Sequence, residues 1–217
     1  MTEMMQAVWY DANGAAGDVL VPGEMPMPTP DAGEVLVRLH ASGVNPSDVK
    51  ARAGSRPMAF PRVIPHSDGA GTLEAVGPGI DPSMVGARVF VRNGQWQRAC
   101  GTAAQFTAID AGCVHPLPEN VGFEIGAALG IPALTAAYAV LKDGPVDGQT
   151  VLIHGGGGTV ARLAVQIAVD SGATVIATTG DMARADRISD AGAATVIDYR
   201  NPDLVSAVKA AAGTAEV

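Results

Sequence analysis

Four consecutive glycines, Gly155 to Gly158, stand between an apolar segment and an amphipathic one. From Gly156 the order reads GxGxxA: Gly156 permits a tight turn, Gly158 lets backbone N–H groups come close to a pyrophosphate, and Ala161 lets the next helix pack against the strand. The N-terminal end of that helix carries partial positive charge, which favours an anion. These residues therefore predict a nucleotide-binding turn whose donors are backbone N–H groups.

The segments around the turn supply the context that a lone glycine motif lacks. Residues 151–154, 173–178 and 193–199 have the apolar, β-branched composition of strands, and 181–191 has the pattern of a helix. With the helix that follows the glycines, the order is βαβαβ. This order predicts one mononucleotide-binding half of a Rossmann sheet.

The first part of the chain has a different composition. Short β-branched runs are separated there by Gly, Pro, Asn and Asp clusters, which is typical of an all-β barrel or sandwich. From Phe123 onward the chain is alanine-rich and alternates helix with strand. We therefore predict a mainly β domain over residues 1–122 and an α/β, partial Rossmann domain over 123–217.

Composition and charge exclude several classes of function. The formal net charge of −8 disfavours nucleic acid as a partner. Cys100 and Cys113 are read as ordinary buried thiols, since two cysteines so far apart make neither a disulfide scaffold nor a metal knuckle. Segment 125–141 is uncharged, but Pro132 and its charged flanks favour a buried soluble segment over a membrane span. With no export signal in view, we expect a cytoplasmic protein.

Five ordered segments carry a resemblance to a known family. They are ASGVNPSDVKARAG (41–54), PHSDGAGTLEAVGPGI (65–80), GARVFVRNGQWQRACGTAAQF (86–106), LGIPALTAAYAVL (129–141) and VLIHGGGGTVARLAVQIA (151–168). Together they resemble the medium-chain dehydrogenase/reductase superfamily, and within it the zinc-independent quinone oxidoreductase branch, the zeta-crystallin-like enzymes. The resemblance implies a GroES-like catalytic domain followed by a Rossmann domain that binds NADP(H).

Two positions bear on metal use. Zinc alcohol dehydrogenases of the superfamily carry Cys where this sequence has Asn45 and His where it has Ser67, and neither Asn nor Ser is a competent zinc ligand. Both residues are also compatible with plain turn roles. Zinc acts as a Lewis acid on ordinary ketones, whereas a quinone or enone is already electron-poor. We therefore expect no metal and a shift toward quinones and conjugated carbonyls. The scattered histidines are assigned structural roles: His40, His66, His115 and His154.

The end of the second predicted strand bears on the choice of nicotinamide cofactor. No carboxylate stands at Gly180, where NAD-specific folds place one. Asp181 is read as a helix N-cap. By resemblance, Arg184 matches a lysine that contacts the 2′-phosphate and Tyr199 a tyrosine stacked nearby, although Arg184 on a solvated helix face stays an alternative. These positions predict NADP(H).

Further positions are carried over from the family. Asn45 and Thr135 match residues near the nicotinamide, and Thr159 and Val160 match residues beside the pyrophosphate. Thr159 replaces a loop glycine, and Lys50 stands where quinone reductases often have Tyr. No catalytic residue is assigned. The prediction is NADPH-dependent hydride transfer to a small quinone or related carbonyl; an enoyl or alkenal double-bond reductase is the alternative.

Superfamily members extend beyond the three Rossmann strands found here. Strand 151–154 would then be an open edge. We expect this chain either to pair that edge in a homo-oligomer such as a dimer, or to be part of a larger molecule. A truncated, non-catalytic nucleotide-binding protein is a third hypothesis. The last predicted helix has Asn201 as N-cap and Pro202 at its first position.

Overall fold

A computed structural model describes residues 3–213 of the protein. The chain divides into two compact units between Ile131 and Pro132, later than the boundary predicted at residue 122. The difference arises because the segment after residue 122 packs on the first unit: Phe123, Ala127 and Leu129 contribute to an apolar cluster there. The assignment of the units to catalysis and to cofactor binding stays a prediction.

The first unit is mainly β. Its strands are β1 (Met4–Trp9), β2 (Val21–Pro26), β3 (Glu34–Gly43), β4 (Asp68–Val76), β5 (Arg88–Val91), β6 (Phe106–Asp110) and β7 (Val114–Pro116). Its helices are α1 (Ala16–Val19), α2 (Pro46–Lys50) and α3 (Phe123–Gly126), with 3-10 turns at Pro82–Met84 and Ala111–Cys113 and π-helical turns at Ala51–Ser55 and Leu129–Ala133. Strands β1 and β2 pair with each other, and the other five form an antiparallel sheet in the order β6-β3-β4-β5-β7.

Strand β3 lies near the middle of the five-stranded sheet and carries its core. Val35 and Val37 are fully buried, and they pack with Leu73 of β4, Val89 of β5 and Ile109 of β6. Two irregularities in the β3–β4 register interrupt the ladder. The β-branched runs of the sequence thus form the predicted β domain.

The second unit is α/β. Its elements are α4 (Leu134–Leu141), β8 (Thr150–Ile153), α5 (Thr159–Asp170), β9 (Thr174–Thr179), a 3-10 turn (Met182–Arg184), α6 (Ala185–Ser189), β10 (Thr195–Asp198) and α7 (Leu204–Ala212). The three strands are parallel in the order β10-β9-β8. The predicted βαβαβ half of a Rossmann sheet is confirmed, and with it the fold class.

The core of the second unit is centred on β9. Val175, Ile176 and Ala177 of this strand are buried, and Val165 and Ala168 of α5 are fully buried in the same unit. Strand β8 has a neighbour on one side only within the described residues, and its Leu152 is 46% exposed. It is therefore an edge strand, as the sequence predicts.

Three details differ from the prediction. Helix α7 begins at Leu204, because the Asn201 side chain accepts a hydrogen bond from the Asp203 N–H (2.9 Å) and closes a turn before the helix. The thiols are not buried, since Cys100 is exposed and Cys113 is half-buried, both of them free. The segment 181–191 forms a 3-10 turn and a short α-helix rather than one continuous helix.

The uncharged segment 125–141 is divided among three helical pieces. They are the end of α3, the π-helical turn at Leu129–Ala133 and α4. Across residues 3–213, none of the helices combines the length and the apolar character that crossing a bilayer requires.

Candidate functional site

The glycine turn is attached to the end of β9 by backbone hydrogen bonds. The Gly156 N–H donates to the Thr178 carbonyl (2.7 Å), and the Gly158 N–H donates to the Gly155 carbonyl (2.9 Å). Gly155 has φ 76°, a left-handed conformation that favours glycine. The turn is therefore shaped by the protein itself.

Gly156 and Gly158 serve different purposes. A Cβ at Gly156 would lie 3.1 Å from the side chains of Ala177 and Ile188, so this glycine allows the turn to pack on β9 and α6. A Cβ at Gly158 would approach nothing closer than the Gly155 carbonyl oxygen at 3.5 Å. Gly158 therefore leaves open space beside the turn, as its predicted role requires.

Four backbone donors at the turn have no acceptor within the described part of the chain. They are the N–H groups of Gly157, Thr159, Val160 and Ala161. The last three belong to the first turn of α5, a helix of 12 residues. Such donors are satisfied by water, by capping groups or by an anionic ligand. The predicted contacts Thr159 and Val160 are thus both available as backbone donors.

Tyr199 lies directly over Gly180. A Cβ at Gly180 would lie 2.2 Å from the Tyr199 hydroxyl, and the Tyr199 N–H donates to the Thr179 carbonyl (3.1 Å). The ring of His154 is 5.1 Å from that of Tyr199, and its Nδ1 is 2.8 Å from the Thr178 hydroxyl. His154 thus contacts a side chain of β9 and lies beside Tyr199, a predicted site residue.

Arg184 extends along the glycine turn. Its Nη1 donates to the Gly157 carbonyl (3.1 Å), and its Nε donates to Asp181 Oδ2 (3.2 Å). Asp181 also accepts a hydrogen bond from the Ala183 N–H through Oδ1 (3.2 Å), as predicted for an N-cap. More than half of each charged side chain is exposed. Arg184 is therefore a solvent-accessible cation at the turn, and its present partner is a carboxylate.

Two cavities border this region. The larger, of about 310 Å³, is lined by Gly155, Gly157, Gly158, Thr179, Gly180, Asp181, Arg184 and Tyr199. The other, of about 260 Å³, is lined by Gly156, Gly157, Thr159, Arg162, Arg184, Arg187 and Ile188. The structure thus brings the predicted residues Gly158, Gly180, Arg184 and Tyr199 to one cavity, and Gly156 and Thr159 to the neighbouring one.

Thr135 is exposed in the first turn of α4, and its side chain makes no hydrogen bond to residues 3–213. Val160 is 37% exposed and lines neither cavity of the glycine turn. Of these two predicted contacts, only Val160 offers a polar group at the turn, through its backbone N–H.

In the first unit, Asn45 is buried at the start of α2. Its backbone N–H donates to Asp48 Oδ2 (2.8 Å), and its side-chain Nδ2 donates to Asp68 Oδ2 (2.8 Å). Asp68 is fully buried and also accepts from the Ile131 N–H (2.9 Å). Burial raises the pKa of Asp68, while the hydrogen bonds from Ile131 and Asn45 oppose that rise. Asn45 is therefore held in place by two carboxylates.

Asp68 was missed in the sequence analysis. The available signal was its place in PHSDG, directly after Ser67, which was the residue considered there. The Ser67 hydroxyl is half-buried and lies 3.5 Å from Asp48 Oδ1. Among residues 3–213 there is no group of three or more His, Cys, Asp or Glu side chains that could hold a metal ion. Lys50 is exposed at the end of α2.

These features define a class of protein: an antiparallel β unit followed in the chain by a Rossmann half-sheet whose glycine turn presents free N–H donors. The family of the alcohol dehydrogenase GroES-like domain matches residues 31–143, more than half of the chain. The protein belongs to this family and to the quinone oxidoreductase branch of the medium-chain dehydrogenase/reductase superfamily.

Similar proteins cover nearly the whole chain. The quinone oxidoreductase of Rattus norvegicus is 33% identical over 214 residues, which are 97% of this chain and 64% of the relative. An alcohol dehydrogenase superfamily protein from Novosphingobium aromaticivorans is 38% identical with a TM-score of 0.83, over 97% of this chain and 63% of that one. Mycobacterial Rv1454c complexed with NADPH is 36% identical with a TM-score of 0.77, over 90% and 58%. The chain thus spans less than two thirds of these relatives.

Proposed function

We propose that the protein is a zinc-independent, NADPH-dependent oxidoreductase that transfers hydride to quinones or related electron-poor carbonyl compounds. The observation that carries the proposal is the cavity of about 310 Å³ in which the glycine turn, Arg184 and Tyr199 meet. The relatives support it, because one is named a quinone oxidoreductase and one was solved with NADPH.

The cofactor's phosphates have suitable partners in the second unit. The pyrophosphate would accept hydrogen bonds from the free N–H groups of Gly157, Thr159, Val160 and Ala161. Arg184 would bind the 2′-phosphate through its planar guanidinium, which matches phosphate geometry. The cofactor would come close to the backbone at three glycines, which have no side chain in its way: Gly156, Gly158 and Gly180. Tyr199 would lie beside the ribose that carries the 2′-phosphate.

The contacts of Asp181 bear on the preference for NADPH over NADH. In NAD-specific folds a carboxylate at the end of the second strand accepts a hydrogen bond from the ribose 2′-hydroxyl. The carboxylate of Asp181 is instead engaged by the Ala183 N–H and by Arg184. A phosphate could replace Asp181 on Arg184, whereas a hydroxyl carries no charge with which to compete. This arrangement favours the phosphorylated cofactor.

Bound NADPH would supply a hydride, and a quinone that takes up this hydride together with one proton from water becomes a hydroquinone. This chain's own part is to bind and orient. From the resemblance, we propose Asn45 and Thr135 as contacts of the nicotinamide ring. Asn45 is suited to a fixed contact, because Asp48 and Asp68 hold its backbone and its side chain.

An apolar cavity in the first unit is our candidate for the acceptor. It measures about 190 Å³, and its lining includes the aromatic side chains of Tyr10, Phe60 and Trp96 together with Arg56. Aromatic rings offer stacking surface to a flat quinone. We expect Trp96→Ala to raise the KM for the quinone and to leave the KM for NADPH unchanged; equal changes in both would reject this cavity as the acceptor site.

Turnover tests the proposed function directly. NADPH oxidation is followed by absorbance with 1,4-benzoquinone and, in a separate series, with an enone. Faster oxidation with the quinone supports a quinone reductase, and faster oxidation with the enone supports a double-bond reductase. NADPH binding without turnover of either acceptor would assign a nucleotide-binding role and refute the catalytic proposal.

We further propose a cytoplasmic homo-oligomer. Strand β8, which within residues 3–213 has a strand neighbour on one side only, supports pairing between copies. Light scattering at micromolar concentration tests this proposal; a monodisperse monomer that neither associates nor aggregates would overturn it.

A further inference from the structure

The apolar cavity that we assign to the acceptor also holds polar side chains. Within the described part of the chain no Asp or Glu lines it, and its polar or charged residues are Tyr10, Asn13, Arg56, Gln95 and Gln97. The side-chain amides of Asn13 and Gln95 donate to backbone carbonyls, at 2.9 and 2.8 Å. These two amides therefore serve the protein's own backbone, whereas the polar groups of Tyr10 and Arg56 do not.

Tyr10 is almost completely buried, yet its hydroxyl has no hydrogen-bond partner among residues 3–213. The residue is 4% exposed, and its backbone N–H and carbonyl are both bonded to Val63 (2.9 Å each). The hydroxyl is not one of the enclosed polar atoms that lack a partner, so it belongs to the small accessible part of Tyr10, which lines the cavity. Burial raises the pKa of Tyr10, and the charges of Arg56 and Arg52 oppose that rise. The hydroxyl is therefore a protonated donor, held in a fixed place and open to a ligand.

Arg56 brings a positive charge to the same cavity. It is exposed and forms no ion pair within residues 3–213, where no other charged residue lines the cavity. Asp48, whose charge also acts on Tyr10, accepts from the Asn45 N–H and is not part of the lining. A guanidinium and a phenol hydroxyl are both donors, and a carboxylate can accept from the two together. The polar groups of the cavity thus suit an anion.

We propose that the acceptor is a conjugated carbonyl compound that carries a carboxylate, bound through Arg56 and the Tyr10 hydroxyl. The inference rests on the proposed function, because it takes this cavity as the acceptor site. The carboxylate accepts hydrogen bonds from both donors, and the flat conjugated part lies against Phe60 and Trp96. The substrate class is thereby narrowed from electron-poor carbonyl compounds in general to quinones and enones with an acid group.

A binding experiment tests the carboxylate site without any hydride transfer. The probes are 3-benzoylpropionate and its methyl ester, two aryl ketones that differ by one negative charge and have no double bond with which the exposed Cys100 thiol could react. Each is titrated by calorimetry into the full chain in the absence of NADPH. We expect the acid to bind about tenfold more tightly than the ester.

Matched variants show whether the two donors cause this preference. Arg56→Gln removes the charge, and Tyr10→Phe removes only the hydroxyl and keeps the ring in the core. Each should lose most of the preference for the acid and change the binding of the ester much less. Arg38→Gln removes an exposed arginine charge elsewhere in the first unit and should keep the full preference. Arg56→Lys, which keeps the charge, should keep part of it.

Turnover connects the site with the reaction. NADPH oxidation is measured with trans-3-benzoylacrylate and with its methyl ester; reduction adds one hydride from NADPH and one proton from water across the carbon–carbon double bond and leaves the carboxylate unchanged. The double variant Arg56→Gln, Tyr10→Phe gives the baseline, because the ester is intrinsically more electron-poor than the acid. We expect the ratio of kcat/KM for the acid to that for the ester to be about tenfold higher in the wild type, mainly through KM.

The remaining outcomes separate this inference from the proposed function. Equal binding of the acid and the ester to the wild type, or a preference that survives in the double variant, refutes the carboxylate site. If 1,4-benzoquinone is reduced but the kcat/KM ratio of acid to ester is the same in the wild type and the double variant, the proposed function stands and this inference fails. If the acid is preferred through Arg56 and Tyr10 but no acceptor is turned over, the carboxylate site stands and the proposed function fails.

Discussion

Replacing Asp181 with asparagine separates the two tasks of this side chain. Asparagine retains an oxygen that can accept from the Ala183 N–H, so the cap of the following turn is preserved. The ion pair between Asp181 Oδ2 and Arg184 Nε (3.2 Å) is lost. In our account, Arg184 is then free for the 2′-phosphate, and NADPH binds more tightly.

The size of the effect follows from charge and exposure. Because both side chains are more than half exposed, breaking their pair costs only about 0.4 kcal/mol. A phosphate dianion that shares Arg184 would lie about 5 Å from the Asp181 carboxylate, which gives roughly 1.7 kcal/mol of repulsion in water, and physiological salt removes about half of it. Asp181→Asn removes both the ion pair that must be broken and the repulsion that remains, together about 1.2 kcal/mol, which corresponds to roughly a sevenfold gain in NADPH affinity.

Fluorescence titration of NADPH and NADH against the wild type and Asp181→Asn measures this gain. Asp203→Asn, which removes an exposed carboxylate before α7, is the charge-matched control. NADH should bind the variant as it binds the wild type, and the NADPH gain should shrink at high salt. A weaker affinity for NADPH, or an equal gain for both cofactors, would refute the reasoning.

Four glycine and carboxylate substitutions test the rest of the site. Gly155→Ala forces alanine into a left-handed conformation and should lower the free energy of unfolding by about 1–2 kcal/mol in urea denaturation. The Cβ added by Gly158→Ala would meet no atom within 3.4 Å, so this variant should keep the stability of the wild type but bind NADPH more weakly. A loss of stability with unchanged NADPH binding would contradict the assigned role. Gly180→Ala should displace the Tyr199 ring, because the added Cβ would overlap both its hydroxyl oxygen and its Cζ, and should weaken NADPH binding; an unchanged NADPH affinity would contradict the role assigned to Gly180. For Asp68→Asn, the free energy of unfolding should rise relative to that of the wild type as pH increases from 3.8 through the raised pKa of Asp68, because only the wild type must bury a charge there. Urea denaturation at several pH values measures the difference, and a difference that does not change with pH would contradict this prediction.

The glycine turn and the order of the parallel sheet could be predicted because they depend on local requirements. The φ of Gly155 is satisfied by glycine itself, and apolar strands alternating with helices lead to parallel pairing. The N-cap role of Asp181 is local in the same way, since its partner Ala183 is two residues away. Such features can be read from a short stretch of sequence.

Asp68 and the arginines that line the second cavity at the glycine turn could not be predicted, for the opposite reason. Asp68 accepts from Asn45 and Ile131, which are 23 and 63 residues away in the chain. Arg162 and Arg187 lie on two different helices, and only the fold brings both of them to one cavity beside the glycine turn. The sequence showed these residues, but tertiary packing decides their neighbours.

The central claim is that the glycine turn and Arg184 bind a dinucleotide that carries a 2′-phosphate. Calorimetric titration of NADPH and NADH into the wild-type chain and into Arg184→Ala tests it most directly. We expect NADPH to bind at least about tenfold more tightly than NADH, a difference of roughly 1.4 kcal/mol, and we expect Arg184→Ala to abolish that difference without changing NADH affinity. Equal affinity of the wild type for the two cofactors, or no binding of either, would contradict the account.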